Sequence, residues 1–200
     1  MASLAGQERS ALSGIASAGH FGRAGASGLT VVERTDIVFA TVIARRDQRG
    51  TLATACNTAF GLVPPDGPRR VTVGPLTFAG IGPGQWIVSS HTEPNLAARL
   101  RAVIGPFAAM TDQSDSRLVL HLSGGNVRDV LAKGVPIDLH PSVFKVGDVA
   151  VTQVAYMGVQ IDRLDATTWQ ITTPRSTAGS FWSWLCASAA EFGYDVMTGA

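Results

Sequence analysis

The sequence predicts an α+β fold, one body made of two intertwined strand-helix-strand-helix halves, and three observations carry that prediction. Alternating runs such as Leu118, Leu120 and Leu122 against Val119, His121 and Ser123 lie beside helical stripes such as Leu96, Leu100, Val103 and Ile104. The order of elements also recurs. Trp86-Ile-Val-Ser-Ser before a proline-containing helix start matches Trp169-Gln-Ile-Thr-Thr-Pro 83 positions later, and Ile43 and Leu52 match Leu122 and Leu131 at an offset of 79. Finally, neither half could cover both faces of its own strands, so the two must share one body. The expected units are a glycine-rich arm over 1–28 and a single domain over 29–200, with repeats at about 29–110 and 111–193.

The arm carries few large apolar groups and cannot bury enough surface to fold alone, so it is expected to be disordered or laid along another surface. Leu12 and Phe21 are its obvious anchors. Thr30 to Ala44, rich in Val, Ile, Thr and Phe, suits one long strand or two short ones. Asp47 is placed to cap a helix with Leu52, Ala55, Cys56, Ala59 and Phe60 as its stripe, closed by Gly61 and Pro64-Pro65. Val71 to Ala79 and Gln85 to Ser89 read as strands around a turn at Gly80 to Gly84. Thr92 or Glu93 opens the next helix, with Pro94 in its first turn, and Gly105-Pro106 ends it.

In the second half the strand at Leu118 to Leu122 leads through Gly124-Gly125 into a short helix, Asn126 to Lys133, with Asn126 as its cap. Turns around Pro136 and Pro141 follow, then strands across Val149 to Asp162 and at Trp169. The last helix runs from about Thr177 to Phe192 and stops at Gly193.

Composition excludes several functions. Charged residues are 16% of the chain against a usual share of about a quarter, and mean hydropathy is +0.20, which hints at buried subunit contacts. A net charge of +1 and scattered basic pairs (Arg45-Arg46, Arg69-Arg70) give no footprint for nucleic acid. No apolar run approaches the roughly 18 residues of a membrane span. Cys56 and Cys186 form no metal-ligand spacing and fall among alanines, as small apolar groups in a reducing, cytoplasmic setting would. The first thirty residues lack a basic start followed by an apolar segment, so a secretory signal is not expected.

Candidate chemistry is sparse, and no catalytic, cofactor-binding or metal-binding residue is assigned. Gly80 to Gly84 leads into a strand and reads as a hairpin turn rather than a phosphate loop. Gly124-Gly125 does join strand to helix, but no Lys-Ser/Thr pair follows, and close backbone packing is the favoured use. His20, His91, His121 and His140 share no ligand spacing, and His121 reads as a half-buried hydrogen-bonding residue. No serine lies in Gly-x-Ser-x-Gly, and Asp129 and Asp138 look like cap and turn carboxylates.

The last helix is unusual. Phe181, Leu185, Ser188 and Phe192 line one face, and Trp182 and Trp184 point about 100 degrees to either side of it. Either the helix is wedged between two sheets of its own domain, or its aromatics form a docking surface. Phe21, Arg175, Phe181, Trp182 and Trp184 are the candidate subunit interface.

Asp112-Gln-Ser-Asp-Ser-Arg, Leu122-Ser-Gly-Gly with Arg128-Asp-Val-Leu-Ala-Lys, Pro136-Ile-Asp-Leu-His-Pro-Ser-Val-Phe and Arg175-Ser to Phe181-Trp-Ser-Trp-Leu together resemble the gamma subunits of heterotetrameric sarcosine oxidases. Arg9-Ser-Ala-Leu, Pro83-Gly-Gln-Trp-Ile-Val and Glu191-Phe-Gly share the resemblance, which spans about Arg9 to Gly193. It implies a fold like the folate-binding domain of the glycine-cleavage aminomethyltransferase. It also implies a non-catalytic subunit that binds no cofactor itself, beside larger alpha and beta subunits that carry FAD, FMN, NAD and tetrahydrofolate. Such a complex oxidatively demethylates sarcosine to glycine and formaldehyde, or methylenetetrahydrofolate, with hydrogen peroxide. The alternatives are the equivalent subunit of a related N-methyl amino acid oxidase or dehydrogenase, and a stand-alone folate-binding protein.

Overall fold

The structure is a computed structural model, and it describes residues 10–197. The start of the expected arm, with Arg9, therefore lies outside the described residues. From Ser10 the arm lies along the body of its own chain. Leu12 is 2% exposed, within the core cluster that also holds Trp182 and Val196.

Two antiparallel-rich sheets organise the rest. Strand β1 (Gly19–Phe21) is followed by β2 (Leu29–Glu33), β3 (Val38–Ala44), helix α1 (Arg49–Phe60), β4 (Arg70–Val73), β5 (Leu76–Gly82), β6 (Gln85–Ser90), α2 (Leu96–Ile104) and β7 (Ala108–Asp112). Then come β8 (Arg117–Ser123), α3 (Val127–Ala132), β9 (Val149–Val154), β10 (Met157–Arg163), β11 (Thr168–Pro174), α4 (Ala178–Ala189) and β12 (Tyr194–Met197). One sheet has the order β4-β5-β6-β3-β7, the other β1-β12-β2-β8-β11-β10-β9. The succession β3-α1-β4-β5-β6-α2-β7 thus parallels β8-α3-β9-β10-β11-α4-β12, with corresponding strands in corresponding places. The differences are β2, inserted between β8 and β12, and β1, added at the edge beyond β12. The predicted first half therefore lends its opening strand to the sheet of the second.

Alternation explains the layers. Ala40, Val42, Phe78, Trp86 and Val88 face α1 and α2, while Leu118, Leu120, Leu122, Ile161 and Ile171 face α3 and α4. The opposite faces of the sheets meet each other, where Phe39, Ile87 and Val119 form a small apolar cluster. The helices are therefore on the outside.

Several local expectations shift. Of the two readings of Thr30 to Ala44, the segment forms two strands, and these lie in different sheets. Asp47 does not cap α1: the turn closed by Gln48 N–H to Arg45 O holds Asp47 at φ +59°, and the helix begins two residues later. Pro94 precedes α2 rather than entering it, and Asn95 occupies the capping position without a side-chain bond. Asn126 is likewise at the start of α3, but its amide donates to Asp129 Oδ2 (2.9 Å) instead of capping the backbone. Trp86 pairs with Val42 and Trp169 with Leu122, and Ile43 points outward. Strands β7 and β12 were not expected.

Candidate subunit interface

The Gly124-Gly125 turn is occupied by its own chain. Gly124 has φ +133°, and a Cβ there would stand 2.5 Å from Gly28 O and 2.8 Å from Leu29 Cα. Its N–H donates to Thr167 O (3.2 Å), and that of Asn126 donates to Gly28 O (3.1 Å). Two donors of this turn are thereby spent within the chain, that of Gly124 on the turn before β11 and that of Asn126 on the residue that leads into β2. Gly80 is equally tight, since a Cβ would stand 2.0 Å from Gly67 O, and the hairpin turns at Pro83-Gly84.

The aromatic residues of α4 divide by environment. Phe181 is fully buried and Trp182 is 8% exposed, both within the core of their own chain. These two residues of the expected interface thus present less side-chain surface than Phe21, Arg175 and Trp184. The helix is not wedged between sheets: it packs on one sheet, the arm around Leu12 and Ala16 borders Trp182, and Trp184 leans on Gly134, where a Cβ would stand 2.8 Å from its Cζ2. Trp184 and Phe181 touch at 5.6 Å between ring centroids. Phe21 lies apart from them, stacked on Tyr194 at 5.5 Å. Phe21 and Trp184 remain half-buried, and Arg175 is exposed at the turn between β11 and α4.

Arg175 belongs to a different feature, a cleft of about 550 Å³ where the link from β2 to β3 crosses between the sheets. Arg34, Arg117, Glu33, Asp115 and Phe39 also line it. Glu33 holds the arm, accepting from Ser10 Oγ (2.6 Å) and Ala11 N–H (2.9 Å). Arg34 is held by Asp36 through two bonds (2.7 and 2.6 Å), which keep the Asp36 carboxyl below its ordinary range. Arg117 opens β8 on the face of Val119 and His121, half-buried, and burial pushes its guanidinium below the usual value.

Deeper between the sheets runs a polar seam that sequence reasoning missed. Asp162 is 2% exposed, accepts from Gln160 Nε2 (2.7 Å) and lies 3.6 Å from Arg70 Nη1. Burial raises its carboxyl to about 6, with the Arg70 charge and the Gln160 bond opposing. The Arg70 separation is too long for a hydrogen bond, and Arg70 Nη1 and Thr172 Oγ1 are buried without hydrogen-bond partners. His121 sits in the same layer, with Nε2 to Gln170 Oε1 at 3.1 Å and Nδ1 to Arg34 Nη1 at 3.4 Å, and burial lowers its pKa. The alternation Val159-Gln160-Ile161-Asp162 was the available signal, but it reads equally as a solvent face.

Among the described residues no group of three or more His, Cys, Asp or Glu is arranged to hold a metal, and Asp129 and Asp138 serve local turns. No described helix is long and apolar enough to cross a membrane. Two sheets back to back with helices outside define an α+β fold. Aminomethyltransferase T of the glycine cleavage system from Bartonella henselae has this fold, with a TM-score of 0.60 at 13% identity over 86% of this chain and 48% of that one.

The chain belongs to the sarcosine oxidase gamma subunit family, whose model matches residues 46–191. A sarcosine oxidase subunit gamma from Corynebacterium sp. (strain P-1) is 32% identical over 181 residues, 86% of this chain and 88% of that relative. A chain of the heterotetrameric sarcosine oxidase from Corynebacterium sp. U-96, solved in complex with pyrrole 2-carboxylate, superimposes with a TM-score of 0.74 at 25% identity, covering 84% of this chain and 87% of that one.

Proposed function

We propose that this chain is the small, non-catalytic subunit of a heterotetrameric sarcosine oxidase, supporting a complex that demethylates sarcosine oxidatively. Its near end-to-end likeness to a chain of the Corynebacterium heterotetramer is the observation that carries this reading. The backbone donors spent inside the Gly124-Gly125 turn and the turn roles of Asp129 and Asp138 agree with a supporting part. FAD, FMN, NAD and tetrahydrofolate are then held by the larger alpha and beta subunits, in the cytoplasm.

Within such an assembly the available contacts of the candidate set are Phe21, Trp184 and Arg175, whose side chains are not sealed in the core. Co-expression with the neighbouring reading frames, followed by native mass measurement, tests the assignment. A four-chain complex containing this subunit and oxidising sarcosine is expected; a chain that purifies alone from that co-expression contradicts it.

A further inference from the structure

Arg117 is the feature that the fold alone leaves unexplained. It is a half-buried guanidinium at the sheet crossover, and among the described residues no carboxylate oxygen lies within ion-pair distance of it, nor does any hydrogen bond satisfy it. The carboxylates nearest in the fold are otherwise engaged or turned outward. Glu33 holds Ser10 and Ala11, Asp36 holds Arg34, and Asp112 accepts from Ser114 Oγ (2.8 Å) and N–H (3.0 Å). Asp115 stands exposed at the rim. A partly desolvated guanidinium is costly to leave unpaired, and its planar fork suits a carboxylate. The cleft beside it is open to solvent and large enough for a side chain with its flanking backbone.

We propose that this cleft is a docking site for an acidic side chain, Asp or Glu, carried by one of the larger subunits, with Arg117 as its fork and Arg34 and Arg175 at its sides. The inference rests on the subunit reading above. The charge fixes the partner's chemistry: a carboxylate completes Arg117, whereas a basic or purely apolar segment would leave it stranded in a drier environment. Insertion from another chain also matches the position of the cleft, whose walls come from both sheets and from the arm, so that one contact would brace three parts of the subunit at once.

The test uses the full complex, co-expressed with wild-type chain, Arg117→Glu, Arg117→Gln or Arg117→Lys and captured through a tag on a larger subunit. Expected is a loss of at least about tenfold in captured Arg117→Glu chain at moderate salt, a smaller loss for Arg117→Gln, and near-normal capture of Arg117→Lys. Thermal melts of the variant chains separate folding from docking, and Arg117→Gln carries the comparison if Arg117→Glu melts early. Wild-type assembly with equal capture of Arg117→Glu and Arg117→Gln overturns the inference alone, whether or not the chain takes up a free carboxylate such as glutarate. Failure of the wild-type chain to assemble overturns the subunit reading and this inference with it.

Discussion

At Gly124 the backbone adopts φ +133° with another strand's carbonyl where a Cβ would be, whereas its neighbour Gly125 has open space around the same position. Gly124→Ala must therefore strain the turn and push β2 away from α3, costing about 1–3 kcal/mol, while Gly125→Ala costs much less. Urea denaturation midpoints of the two variants check this, and equal midpoints would refute it. Asp162 supplies a pH signature. Because its folded pKa of about 6 exceeds the ordinary value of 3.8, the folded chain holds the proton more tightly, and stability falls as pH rises from about 4 to 6, then levels off. In Asp162→Asn that component is absent, so the variant gains on the wild type across this window. A stability difference that stays constant from pH 4 to 7 would contradict the assignment.

At the scale of elements, the arm and α4 form one unit. Leu12 fills the core, Glu33 grips Ser10 and Ala11, and β1 pairs with β12, so the arm hides a tryptophan that the helix alone leaves bare. His20 ties its far end through Asp195 Oδ1 (2.8 Å) and Arg23 O (3.0 Å), and these bonds raise its pKa. Both acceptors favour the imidazolium, so this attachment is strongest at low pH and weakens, by one of its two donated bonds, as pH rises through the raised value. Limited proteolysis reads it: cleavage within the arm should be faster above neutral pH than at pH 6, and faster still in Leu12→Ala or Glu33→Ala, with the body left intact. The aromatic crowding of α4 was legible in the sequence, as were the helix stripes and the glycine turns. What covered the aromatics was not, because Leu12 and Trp182 meet only through tertiary packing. Strands β7 and β12 were hidden for a related reason. Ala-Ala-Met-Thr-Asp and Tyr-Asp-Val-Met have weak strand character, and they pair because β3 and β2 present unfilled edges.

For the whole molecule, the paired succession of elements in the two sheets accounts for the offset that first linked Trp86 with Trp169. We propose that it records an internal duplication, modified where β2 was inserted and the second sheet lengthened. The polar seam escaped sequence reading because Gln160 and Asp162 become buried when one sheet covers the other, a relation no single strand encodes. Supporting work is consistent with this body: the structure spends its glycine turns on packing and leaves its charged cleft at the surface. The most direct test is oxygen consumption with sarcosine, measured on the isolated chain and on the complex containing it. The account predicts a colourless, inactive isolated chain and an active, flavin-coloured complex; sarcosine oxidation by the chain alone would contradict it.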